Sequence, residues 1–118
     1  MTRRARADRP TRRIRYPVVL AQGTRVAHTL LALRCVPPPP GARGRPQIGI
    51  IAGKAVGPAV ARNRARRRVR EALRTLLAPV AAPWTVVALL QPAAGQADCS
   101  ALRQACEDLL RKAKVLSA

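Results

Sequence analysis

One stretch constrains what this chain can fold into: Lys54–Leu77, reading KAVGPAVARNRARRRVREALRTLL. Arg62, Arg64, Arg66, Arg67, Arg68, Arg70 and Arg74 lie in its second half, opposed only by Glu71. Ala65, Val69, Ala72, Leu73, Leu76 and Leu77 recur at helical spacing and predict a helix with one apolar face. Pro58 suits a first turn, because it has no N–H to lose there and its φ is already helical. Gly57 allows a tight entry, and Pro79 stops the helix. At about 100° per residue, Arg62 and Arg66 fall near the meridian of Val69 and Leu73, so cations continue the core-facing side toward the N-terminus. Unpaired charge is costly to bury. The C-terminal two-thirds of the helix is therefore expected to lie on a core, while the first two turns overhang it and line a groove with guanidiniums. A run of charge is most often a solvated face. Here, however, like charges stand four residues apart (Arg62/Arg66/Arg70 and Arg64/Arg68), which destabilises an isolated helix unless an anion relieves it. Cations beside the free N–H groups of a helix N-terminus suit phosphate.

The rest of the composition agrees. The chain has 118 residues, 23 basic against 5 acidic, and a formal net charge of +18. That length fits one small domain, so residues 1–118 are read as a single domain, with 1–13 as a flexible basic tail. Such a charge calls for a polyanion, and nucleic acid leads. Arginine outnumbers lysine 20 to 3, a bias that a GC-rich genome also produces; position, not number, carries the inference. No apolar run approaches the roughly 20 residues that span a bilayer, and Phe is absent, so no membrane role is expected. The basic N-terminus lacks a following apolar segment, so no secretory signal is expected either, and the location is read as cytoplasmic. Cys35, Cys99 and Cys106 show neither CxxC nor zinc spacing and read as free thiols.

In chain order, a short helix is expected at Tyr16–Gln22, with Gly23 as its C′ residue. A strand follows at Thr29–Val36, then a stiff loop through Pro37–Pro40, Gly41 and Gly44. Gln47–Ala52 and Trp84–Leu90 read as further strands flanking the basic helix. After a loop at Gln91–Gln96, Asp98 caps a last helix with Leu102, Cys106, Leu109, Leu110 and Ala113 on one face. The order α-β-β-α-β-α predicts an α+β sandwich, a sheet with helices packed on it.

Ile48–Gly57, then Ala59, Val60, Ala61, Arg62, Asn63 and Arg64, then Arg67, Arg70 and Ala72 together resemble the signature of the bacterial ribonuclease P protein component. Its hallmark is an Arg-Asn-Arg helix entered through Lys-x-[Ile/Val]-Gly-x-Ala-Val, here Lys54, Val56, Gly57, Ala59, Val60, Arg62, Asn63 and Arg64. The resemblance spans nearly the whole chain after residue 13. It implies an α-β-β-(β)-α-β-α two-layer sandwich, ribosomal S5 domain 2-like, with a left-handed βαβ crossover and a short extra strand, expected near Gly53–Val56. It also implies a subunit of the ribonuclease P ribonucleoprotein that helps remove the 5′ leader of precursor tRNA. The partners would be the ribonuclease P RNA and precursor tRNA, with no protein partner required.

On that resemblance, Arg62, Asn63, Arg64, Arg66, Arg67, Arg70 and Lys54 are the expected RNA-binding residues. Guanidiniums make bidentate phosphate contacts, and an amide donates and accepts at once. The family's cleft between the sheet and the first helix takes the single-stranded leader, and Tyr16 and Leu20 are the expected leader-binding residues. Leu20 stands where the family has a second aromatic, which weakens stacking. Leu90 stands where an arginine is common, which removes one cleft cation. Pro58 replaces a usual Asn.

One His, three thiols and no clustered carboxylates offer no catalytic or metal-binding set in the protein. Cleavage is expected from the RNA and its Mg²⁺, with no metal bound by the protein alone. The alternative is a non-enzymatic RNA-binding protein such as a ribosomal protein, which has no reason to share the Lys-x-Val-Gly-x-Ala-Val-x-Arg-Asn-Arg spacing.

Overall fold

A computed structural model of the protein describes residues 16–116, without the side chains of Tyr16, Pro17 and Leu20. The expected tail at 1–13 and the two expected leader-binding side chains, Tyr16 and Leu20, thus lie outside what is described. The elements run α1 (Tyr16–Gln22), β1 (Thr24–Ala27), β2 (Leu31–Val36), β3 (Gln47–Ile51), a 3₁₀ turn (Lys54–Val56), α2 (Ala59–Leu77), β4 (Thr85–Leu90), a second 3₁₀ turn (Pro92–Gln96) and α3 (Cys99–Lys112).

The four strands form one sheet in the order β1-β2-β4-β3. The β1/β2 and β2/β4 pairs are antiparallel, and β3/β4 is parallel with α2 as its crossover. Register assigns the faces. Leu31, Leu33 and Cys35 of β2 stand opposite Leu90, Ala88 and Val86 of β4, and Ile48 and Ile50 of β3 continue those rows. All of them join Val69 and Leu73 of α2 and Leu102, Cys106 and Leu109 of α3 in one apolar cluster. The intervening residues point to the other face. There Ala32 and Val87 are buried with Val19 of α1, apart from the main cluster, and α1 packs on β2 and β4.

The α+β architecture is as expected, with three corrections. The extra strand is Thr24–Ala27, not Gly53–Val56. The first long strand accordingly starts at Leu31 rather than Thr29, because residues 28–30 form the hairpin turn. His28 N–H donates to Leu31 O at 2.8 Å, and Leu30 N–H donates to His28 Nδ1 at 3.1 Å. Residues 53–56 instead coil: Val56 N–H reaches Gly53 O and Gly57 N–H reaches Lys54 O, both at 3.1 Å. This turns Val56 into the core, where it is 6% exposed.

The second correction concerns Gly23, which is not in the left-handed region. Its N–H closes α1 on Val19 O at 2.8 Å, and a Cβ there would stand 3.3 Å from Arg34 Cβ. Close approach, not φ, calls for glycine. The third is that Pro58 precedes the first turn of α2 as its N-cap, with ψ 166°, and its carbonyl accepts from Arg62 N–H at 3.0 Å.

The residue that does cap a helix in the left-handed region is Lys114, with φ 64°. Lys114 N–H bonds Arg111 O and Val115 N–H bonds Leu110 O, each at 3.0 Å, the two bonds of a Schellman motif. The motif folds Val115 back onto the core beside Leu110. A side chain in this conformation costs about 1 kcal/mol relative to glycine. Lys114→Gly is expected to raise unfolding stability by about 0.5–1 kcal/mol; a urea midpoint that falls would show the cap is not strained.

Candidate nucleic-acid interface

The crossover α2 carries the basic residues on three faces. Ala65, Val69, Ala72, Leu73 and Leu77 are buried, with Leu76 half-buried. On the same meridian, one turn before Ala65, Arg62 is half-buried, and its Nε is buried without a hydrogen-bond partner. The expected overhang is therefore present: the apolar face ends at Ala65 and a guanidinium continues it.

The second face is a flank. Arg64 Nη2 donates to Gly95 O at 3.1 Å and Arg68 Nη1 donates to Ala97 O at 2.8 Å. These two arginines hold the 3₁₀ turn Pro92–Gln96 and the entry to α3 against α2. Gly95 is buried, and a Cβ on it would overlap the Val56 carbonyl oxygen, so this turn also seats directly on Lys54–Val56. Arg64, expected among the RNA-binding residues, thus has part of its donor capacity committed inside the protein. Arg68, outside that set, has a positioning role. Sequence reasoning missed this because Gly95 and Ala97 offer backbone carbonyls, which carry no side-chain signal.

The third face is open. Asn63, Arg67, Arg70 and Arg74 are exposed and recur at i, i+4, i+7 and i+11, a straight line along the helix. Arg74 approaches Glu71 at 3.8 Å. Arg66, at the edge of this line, donates from Nη1 to Asn63 Oδ1 at 3.4 Å, so Asn63 orients a cation rather than standing free. Lys54 and Val60 are exposed beside the helix start, Val60 at 74%.

Among the described residues, Glu71 beside Arg74 is the one carboxylate on this face. None occurs between Asp8 and Glu71 in the chain. The others are engaged on α3: Asp98 caps it by accepting from Ala101 N–H at 2.8 Å, Glu107 pairs with Arg111 at 2.6 Å, and Asp108 accepts from Gln104 at 3.0 Å.

The α1 side of the sheet holds a second basic feature. Arg25 of β1 stands directly opposite Arg34 of β2, and the row continues through Val87 to the buried Gly49. Arg34 Nη1 donates to Gly23 O at 3.4 Å. Two like charges directly across a strand pair repel, and they were not foreseen as a site because the β1 pairing was not. Leu90, which stands where the resemblance leads one to expect an arginine, is 8% exposed and fills core volume in the helix-side cluster.

The thiols and lone histidine build no chemistry. Burial pushes the Cys35 and Cys106 thiols up to about 12, so both are neutral core side chains, while Cys99 is exposed. Among the described residues no three His, Cys, Asp or Glu side chains gather into a metal-binding group, and no helix is long and apolar enough to cross a membrane.

The chain resembles a Staphylococcus aureus RNase P protein mutant with defective mRNA degradation activity at TM-score 0.80, with 20% identity over 98% of this chain and 95% of that one. It resembles the RNase P protein from Thermotoga maritima at TM-score 0.72, with 18% identity over 86% and 96%. Another Staphylococcus aureus RNase P protein structure matches at TM-score 0.62, with 23% identity over 95% and 93%. No curated protein sequence matches. The Ribonuclease P family model, however, matches residues 5–114. The chain therefore belongs to the ribonuclease P protein family, the protein subunits of a tRNA-processing ribonucleoprotein that partner the ribonuclease P RNA.

Proposed function

We propose that this subunit grips the ribonuclease P RNA with the solvent face and overhanging first turn of α2, and leaves phosphodiester chemistry to that RNA. The observation that carries the reading is the line Asn63–Arg67–Arg70 with Arg62 and Arg66 beside it. The four arginines stand four residues or fewer apart on a rigid helix beside the neutral Asn63, and Glu71, next to Arg70, is the first carboxylate after Asp8 in the chain. Each guanidinium can take a phosphate in a fork of two hydrogen bonds. Asn63 and Lys54 border the line and suit a sugar edge and a phosphate respectively.

The single-stranded 5′ leader of precursor tRNA fits the α1 side of the sheet. There the adjacent Arg25 and Arg34 need an anion, and the small, exposed Ala27 beside them leaves room for an extended strand. Tyr16 and Leu20 are proposed to border it. Mg²⁺ would act on the RNA, where the protein lowers the concentration needed by screening phosphate charge. The compartment is the cytoplasm, where precursor tRNA is matured. The protein's contribution is positioning and electrostatics.

The test mixes the chain with its ribonuclease P RNA and precursor tRNA at a low Mg²⁺ concentration at which the RNA alone is slow. Faster release of the 5′ leader is the expected outcome. RNA binding without any gain in cleavage would favour a non-enzymatic RNA-binding protein instead.

A further inference from the structure

The loop between β2 and β3, residues 37–46, reads PPPPGARGRP and has no part in the site above. It is a built structure. Ala42 N–H donates to Pro39 O at 3.0 Å, closing a turn with Pro40 second and Gly41 third. Gly41 has φ 78°, the geometry a type II turn requires of its third residue. Gly44, with φ 144°, donates its N–H to Ala81 O at 3.4 Å, and a Cβ on it would stand 3.6 Å from Pro83 Cβ. At the loop's far end Gln47 N–H donates to Trp84 O at 2.8 Å. Proline φ restriction and these three backbone bonds fix the loop before any ligand arrives.

Arg43 and Arg45 flank Gly44, and both are exposed. Neither makes an ion pair or side-chain hydrogen bond among the described residues. Their place is set by the topology. Gly44 meets Ala81, four residues past the end of α2 at Leu77, and Val80 N–H turns that segment back onto Leu77 O at 2.9 Å. At most about 14 Å of chain separates the two points. The loop therefore stands beside the C-terminal end of α2, at the end of the helix opposite Lys54 and the Arg-Asn-Arg turn. The exposed line on α2 reaches Arg74, roughly 17 Å from Asn63 at 1.5 Å per residue.

We propose that Arg43 and Arg45 form a second, preorganised contact for RNA phosphates, extending the cationic track past the end of α2. The ligand is RNA because the loop offers two forked donors without a partner among the described residues and no apolar side chain larger than proline. This inference rests on the RNA-binding reading above but on different residues, at a different end of the molecule.

The experiment measures binding of the R43Q/R45Q variant as a function of salt, beside wild type. One arm uses the ribonuclease P RNA. A second uses precursor tRNA with the reconstituted complex. Because neither side chain has a partner among the described residues, the fold is expected to survive, which thermal unfolding checks. A loss of about two units in the salt slope and roughly tenfold or more in affinity in either arm supports the contact, and the arm that responds identifies the RNA. Gly41→Ala keeps both charges and strains the turn, so it is expected to weaken the same arm without changing the slope. Wild-type binding with an unchanged R43Q/R45Q slope in both arms overturns the inference alone. Failure of wild type to bind either RNA overturns both readings.

Discussion

Gly95→Ala is expected to lower unfolding stability by at least about 2 kcal/mol, although it adds a single methyl group. Ordinary overpacking costs about 1–3 kcal/mol because flexible side chains can move aside. Here the atom in the way is the backbone carbonyl oxygen of Val56, fixed in its 3₁₀ turn by the bonds at Gly53 and Lys54. Either the Pro92–Gln96 turn or the Lys54–Val56 turn must lift. The first movement stretches the bonds from Arg64 and Arg68 to Gly95 and Ala97; the second withdraws Val56 from the core. In a chain of this size 2 kcal/mol corresponds to a fall of about 8 °C in Tm. Gly53→Ala is the matched control. Gly53 has φ −85°, and a Cβ there meets nothing within 4 Å, so its midpoint should stay within about 0.5 kcal/mol of wild type. If both variants unfold together with wild type, the two turns do not seat on each other as described.

The same junction explains what could be read in the sequence and what could not. The helix Ala59–Leu77 was legible because its apolar residues repeat at helical spacing from Ala65 to Leu77, more than three turns, and periodicity of that length outweighs local propensity. Helix α3 was legible for the same reason, with Asp98 marking its start. Strand β1 was not. Thr24–Ala27 is four residues with one half-buried side chain, and its existence depends on pairing with Ala32–Cys35 rather than on its own pattern. That missed strand hid Arg25 and Arg34 as neighbours. The division of labour among the arginines was also hidden. Arg64 and Arg66 are the same residue type two positions apart, yet one faces backbone carbonyls of a distant turn and the other faces Asn63. Helical angle predicted that Arg62 and Arg66 would continue the core meridian; Arg62 does, whereas Arg66 turns to Asn63 at the edge of the open face. Helical angle could not predict which flank the Pro92–Gln96 turn would occupy, because that is fixed by the packing of α3 on α2.

Those two classes of arginine should separate in one measurement. Arg62, Arg67 and Arg70 make no ion pair or side-chain hydrogen bond among the described residues, so their charge is available to a polyanion. The R62A/R67A/R70A variant is expected to lose between two and three units of the log–log salt slope for ribonuclease P RNA binding, and roughly a hundredfold in affinity near physiological salt, with each contact releasing about 0.7–0.9 counterion. Its stability should hold or rise, since removing Arg62 also removes a buried donor with no partner. Arg68→Ala should behave in the opposite way. Its guanidinium is committed to Ala97 O, a charge-assisted bond worth about 1–2 kcal/mol in a partly buried setting, so unfolding stability falls while the salt slope stays near wild type. Arg64→Ala should show both effects at once, because Gly95 O takes one of its donors and leaves the others outward. Replacing the triple set with lysine should keep the slope but not the full affinity, since a point charge cannot reproduce the forked phosphate contact. A triple alanine variant that retains the wild-type slope would move RNA binding off α2 altogether. An Arg68→Ala variant that loses slope without losing stability would make the clamp a binding residue instead.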